Sequence, residues 1–209
     1  MTPLHAPGAV GFVDGVAVPV GEVDAREAQL RGGALACALP AAGTSAGRQL
    51  RRWLTQLIVT ERVIAVEAAA RGGCADNAPG EDELVPDITA RLEMGSIAAA
   101  VLADPRARAL FARITSDVDV SDAEIAAYHE RNPLRFAGSQ HDHHGWRTPA
   151  TTVPPLAAVR ATIADHLRGA ARRRAFRIWL DQRRAALVQL AHGYEHPGDP
   201  RQPDNTHRH

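Results

Sequence analysis

Leu156–Leu190, LAAVRATIADHLRGAARRRAFRIWLDQRRAALVQL, is the stretch that decides the fold. Pro154-Pro155 opens it, and proline suits a helix start because the N–H it lacks would have no intrahelical partner there. Val159, Ile163, Leu167, Ala170/Ala171, Ala175 and Ile178 then step at three and four residues, and Trp179, Leu180, Leu187 and Leu190 extend the stripe. This spacing predicts one helix from about Pro155 to Leu190. At 1.5 Å per residue it reaches about 54 Å, more than the width of a small domain. It must pack along other helices.

Composition points the same way. Of 209 residues, 45% are apolar but only 4% aromatic, so the apolar surface is mostly small aliphatic groups suited to close helix packing. A chain of this length can bury a good-sized core without disulfides or metal. The 24 basic and 24 acidic residues cancel, which removes any global pull toward nucleic acid or anionic membrane. Every basic residue is Arg, and the absence of Lys excludes Schiff-base chemistry, a P-loop lysine and a Lys general base. Cys37 and Cys74 are far apart and form no CxxC pattern; the expectation is buried free thiols. Met1–Val10 lacks the basic start and apolar run of a secretory signal, and no run of about 18 apolar residues exists to span a membrane. A cytoplasmic protein without a cofactor is expected.

Local signals fill in the remainder. VGFVDGVAVPV, Val10–Val20, holds two β-prone runs around Asp14-Gly15, a dipeptide that favours a tight hairpin turn. A short helix through EVDAREAQLR ends at Gly32-Gly33, and Ala34–Gly47 reads as a loop. From Ser45, Leu50, Trp53/Leu54, Leu57/Ile58, Glu61, Ile64/Ala65 and Ala68 follow helical spacing up to Gly72-Gly73. Asp82–Glu93 is a further short segment limited by Pro86, and Asp104-Pro105 reads as an N-cap followed by a first-turn proline before Arg106–Ile114. Ser121-Asp122-Ala123-Glu124 is a capping box that starts a helix ending near His129 or Glu130. Phe136–Pro154 shows no period and reads as a loop.

Four segments, in order, resemble the N-terminal chaperone domain of the SurA, PrsA and PpiD family of parvulin-linked folding factors. FVDGVAVPVGEVDARE, Phe12–Glu27, is similar to that family's opening strand, turn and short helix. RQLRRWLTQLIVTERVIAVEAAARGG, Arg48–Gly73, resembles its long second helix. DVDVSDAEIAAYHERNPLRF, Asp117–Phe136, resembles the segment that leads into the parvulin isomerase domain, and Leu156–Leu190 the helix that returns from it. The interval between Phe136 and Leu156 is far too short for an isomerase domain.

The resemblance implies a mainly α, SurA N-terminal-domain-like lobe made of residues 10–135 and 155–190, with 136–154 an irregular loop replacing the parvulin domain; 193–209, rich in Pro, Asp, His and Arg, reads from its composition as a disordered tail. Its partner would be unfolded or partner polypeptide, bound without isomerase activity. Family members are usually exported, which this chain's lack of a visible signal does not match.

Candidate residues follow. Gly43-Thr44-Ser45-Ala46-Gly47 matches G-x-S-x-G, the nucleophile elbow of hydrolases and malonyl-CoA:acyl carrier protein transacylases, with Ser45 as nucleophile and a histidine as base. The preceding residues contain Pro40 and little β-branched character, so Ser45 reads instead as a helix N-cap. His141, His143 and His144, with Asp142, are metal-ligand types on a loop but have no spaced second half, and read as surface histidines. Trp53 and Trp179 fall on apolar helix faces and are the natural client contacts where exposed. The long helix carries eight Arg against Asp165 and Asp181. This stripe could bind an acidic partner or nucleic acid, but it lacks interleaved aromatics and reads as a face paired with the acids of Val20–Glu27 or Gly80–Glu93.

Overall fold

The computed structural model describes residues 8–34, 36–71, 78–136, 140–141, 147–148 and 153–195. It is mainly helical, with a small N-terminal hairpin and one long helix near its end. Strands β1 (Ala9–Val13) and β2 (Val16–Pro19) pair antiparallel across Asp14 and Gly15. Both turn residues are left-handed, at φ 50° and 75°, as a two-residue hairpin that follows strand twist requires. The chain passes directly into helix α1 (Val20–Arg31), which stops at Gly32, and after a single 3-10 turn at Ala36–Ala38 enters α2 (Ser45–Ala70).

Helix α2 is the axis of the molecule. The spacing of its apolar residues predicts a one-sided stripe, yet Leu54 through Thr60 are all buried, because α1, β1, α6, α8 (Leu156–Leu187) and α5 (Ser96–Ala100) surround it. Helix α6 spans Pro105–Ile114. Buried polar groups on α2 find partners close by: Thr55 Oγ1 donates to the Arg51 carbonyl at 2.9 Å and Thr60 Oγ1 to that of Gln56 at 2.6 Å. A hydroxyl folded back on its own helix can be buried without losing a hydrogen bond.

Between α2 and α6 lie short helices whose ends follow local chemistry. Pro86 separates α3 (Glu81–Leu84) from α4 (Ile88–Met94), and Asp87 caps α4 by accepting from Ala90 N at 2.8 Å. Asp104 caps α6 by accepting from Arg106 N at 2.8 Å, with Pro105 in the first turn. Helix α7 (Asp122–Arg131) has its capping box: Ser121 N donates to Glu124 Oε2 at 2.8 Å and Glu124 N to Ser121 Oγ at 3.3 Å. The 136–154 segment is not wholly irregular, since β3 (Gln140–His141) pairs antiparallel with β4 (Arg147–Thr148).

Helix α8 packs on α2, α4, α6 and α7. It ends at Leu187, three residues before its sequence spacing suggests, because Val188–Leu190 leaves the helix as β5 and pairs with β1. Val-Gln-Leu fits a strand's alternation as well as a helix end, and the open edge of β1 supplies the hydrogen bonds that decide it. The sheet order is β2-β1-β5. The tail beyond β5 is not loose at its start: Gln56 Nε2 donates to the Tyr194 carbonyl at 3.0 Å, and Tyr194 packs on the core. Residues 196–209 lie outside the described part.

Two cores result. The larger collects α2, the sheet, α4 to α6 and the Phe176–Leu180 part of α8; the smaller joins Ile125 of α7 to Val159 and Ile163 of α8. The pairs Val159/Ile163 and Phe176/Leu180 face directions about 100° apart around α8 at 3.6 residues per turn. Ile178, placed on the buried stripe by its spacing, is 48% exposed, since it stands two residues and about 200° from Phe176.

Candidate functional site

Ser45 is the first residue of α2 and not its cap; Thr44 holds the cap, accepting from Gly47 N at 3.0 Å. Among the described residues no strand lies between α1 and Ser45, so the strand-to-helix strain that exposes an elbow nucleophile is missing. Both glycines of the motif have structural work. Gly43 is left-handed at φ 81°, and a Cβ on Gly47 would collide with the Ala41 carbonyl. G-x-S-x-G here is the signature of a helix start.

Trp53 and Trp179 are half-buried and lie apart. The Trp53 indole N–H donates to Ser96 Oγ at 3.1 Å near the start of α5. Trp179 packs on Phe176 at a ring-centroid distance of 5.4 Å beneath the Arg71 guanidinium, 5.8 Å from its centroid, at the other end of α2. About 27 Å of helix axis separates Trp53 from Arg71. Cys37 is exposed and not a buried thiol, in a 3-10 turn none of whose residues is buried; Cys74 is outside the described residues. His141 belongs to β3, but its side chain, like all of His143 and His144, is outside the described part. Among the described residues no group of His, Cys, Asp or Glu is arranged to hold a metal, and no helix is long and apolar enough to cross a membrane.

The arginines of α8 have partners that differ from those their sequence suggests. Arg173 is buried and gives Nε and Nη2 to Glu93 Oε2 at 3.0 and 2.9 Å, within the acidic stretch foreseen. The others reach elsewhere: Arg160 to Asp122, Arg168 to Asp119 and Asp165, Arg183 to Glu67, and Arg172 to Thr115 Oγ1. The acids of α1 are taken by α2, with Arg51 on Asp24 and Glu27 and Arg62 on Glu22, while Arg26 of α1 in turn holds Glu61 of α2. Helix α2 stands between α1 and most of α8, so those charges cannot meet. Arg174 and Arg177 have no ion pair among the described residues and are exposed; Arg177 gives Nη1 only to the Glu93 carbonyl at 3.0 Å. Arg184 donates to Gln56 Oε1, and burial lowers its pKa below the ordinary arginine value.

These last residues border a groove between α4 and α8. Its floor near Gly169 is kept low for a reason: a Cβ there would lie 3.2 Å from Arg173 Nη1. At one end His166 meets Tyr128 Oη at 3.2 Å and the rings of Tyr128 and Phe136 at 5.5 and 5.8 Å. Burial, then the Arg135 charge, holds its pKa below the usual histidine value, with Arg173 acting the same way and Glu93 and Asp87 opposing. The folded state therefore favours neutral His166. The stability this contributes is complete above the unfolded value, about pH 6.5, and is lost as pH falls through the lower folded value. His166→Gln is expected to flatten that part of the melting-temperature decline between about pH 7 and pH 5, measured by circular dichroism against wild type. An unchanged slope would show that His166 is not a sensor of α7–α8 packing.

Helix α4 turns Ile88 and Leu92 outward, 69% and 73% exposed, while Ala90 and Met94 are buried. The sequence carries this signal. Two apolar i,i+4 pairs offset by two residues lie about 200° apart on one short helix, and both cannot face the same core. Isolated apolar side chains on a surface are ordinary; these two share one ridge of α4.

The chain matches a family described as "Family of unknown function (DUF7158)" over residues 9–45, which covers the hairpin, α1 and the turn before α2. No curated protein matches the chain. No solved structure matches it.

Proposed function

We propose that this chain is a polypeptide-binding module of the SurA, PrsA and PpiD type without an isomerase, holding unfolded or partner polypeptide by reversible contact. The observation that carries this reading is the return of α8 to the lobe that α7 leaves. Helix α8 packs on α2, α4, α6 and α7, and the His129 ring Nε2 meets the Pro154 carbonyl at 2.9 Å, so the two ends of the intervening segment stand side by side. A lobe interrupted by another domain, or by the remnant of one, needs that closure. The exposed Ile88–Leu92 ridge supplies apolar contact; Trp53 and Trp179, both half-buried, are secondary.

Light scattering from a heat-aggregating client tests this. Equimolar wild-type protein is expected to slow aggregation, and the double variant Ile88→Ser/Leu92→Ser to lose most of that effect while melting near the wild-type temperature, since exposed substitutions usually change stability by about 0.5 kcal/mol or less. A wild-type protein without effect at several-fold excess would end the proposal.

A further inference from the structure

On α8, His166, Ala170, Arg173, Arg177, Asp181 and Arg184 recur at helical spacing, one stripe facing α4 and the start of α5. Three pockets, of about 130, 190 and 150 Å³, lie along it. Glu93 lines the first and second, and Arg177 the second and third, so they follow one another along the same face of α8. From Asp165 to Arg184 they run along the helix for about 28 Å. That is the span of about eight residues of extended chain.

The groove is electrically polar. Four acids, Glu83, Asp87, Glu93 and Asp165, line its first end against two arginines, Arg135 and Arg173; Asp165 also pairs with Arg168 of its own helix, and the carboxylates remain in excess. Its other end carries Arg174, Arg177 and Arg184 against Asp181. Between them Gly169 and Ala170 form a low floor on which a visiting backbone can lie. A nucleic-acid strand would meet like charge at the acidic end, where the ring of His166 also stands.

We propose that this groove binds one extended polypeptide segment of about eight residues, with Lys or Arg at the Asp165 end and Asp or Glu at the Arg174–Arg177 end. The inference rests on the polypeptide-binding reading above and gives it a location and a partner chemistry.

Fluorescence anisotropy of labelled ten-residue peptides with the full chain provides the test. A peptide basic at one end and acidic at the other should bind more tightly than all-acidic, all-basic or uncharged peptides of equal length, and lose affinity with added salt. Arg174→Glu/Arg177→Glu, which removes no ion pair among the described residues, should weaken the dipolar peptide about tenfold and strengthen the all-basic one. Equal affinity of wild type and variant for the dipolar peptide overturns the proposal, as does tighter binding of a single-stranded oligonucleotide than of any peptide. Client aggregation is scored separately. Suppression without peptide binding removes the groove and leaves the chaperone reading standing; peptide binding without suppression does the reverse.

Discussion

Phe176→Ala is expected to destabilise the lobe by about 4 kcal/mol, read from urea unfolding, which is within the range for deleting a fully enclosed aromatic ring. Phe176 is 0% exposed and joins α6 to the rest of α8, with Phe111 at 5.0 Å and Trp179 at 5.4 Å between ring centroids. Its removal leaves a cavity where α8 lies on the main core, and neither ring neighbour can collapse into it without leaving its own helix face. Trp179 should become more solvent-exposed in the variant, with a red-shifted emission. Ile178→Ala, two residues away and on the outer side, should cost about 0.5 kcal/mol or less. Similar losses at both positions would show that α8 is rotated from the orientation described.

Gly11→Ala is the second large effect, expected at about 2–3 kcal/mol by the overpacking range. A Cβ at Gly11 would stand 2.6 Å from the Gln189 carbonyl oxygen and 3.2 Å from Leu190 Cα, both backbone atoms that cannot swing aside. The β1–β5 pairing must open to admit it. Hydrogen exchange should locate the damage: the Ala191 amide, bonded to the Val10 carbonyl at 2.9 Å, should lose protection while α7 keeps its own. Gly15→Ala offers the contrast, since a Cβ there meets nothing within 4 Å and only the left-handed φ of 75° resists it. Equal protection of Ala191 in wild type and Gly11→Ala would refute the close approach.

What the sequence disclosed was what neighbouring residues settle among themselves. Asp14-Gly15, Asp104-Pro105 and the Ser121–Glu124 box are chemistry within four residues, and each sets the element its residues imply. The burial of α2 on all sides was hidden, because Thr55 and Thr60 look solvent-facing until their hydroxyls fold back on the helix. Leu187–Leu190 satisfies two periods at once, and only the β1 edge separates them. Long four-residue steps along α8 drift about 40° each, which carried the expected stripe from the buried face to Ile178. The groove was hidden for a similar reason. Which arginines keep their charge for a partner depends on acids as distant as Glu67 and Asp119 having engaged the others.

Joining β5 to β1 has a consequence for when this protein can exist. Arg52 gives Nε to the Gly193 carbonyl and Gln56 bonds Tyr194, contacts that span 141 and 138 residues. A ribosome emits the chain from one end, so α2 emerges well before Gly193 and Tyr194 and waits for them with its Leu54–Ile58 face incompletely covered. Loop closures of that length are slow, and they come last. Closure of this lobe therefore waits for β5 and the residues just after it, and until then α2 presents an unsheltered apolar face.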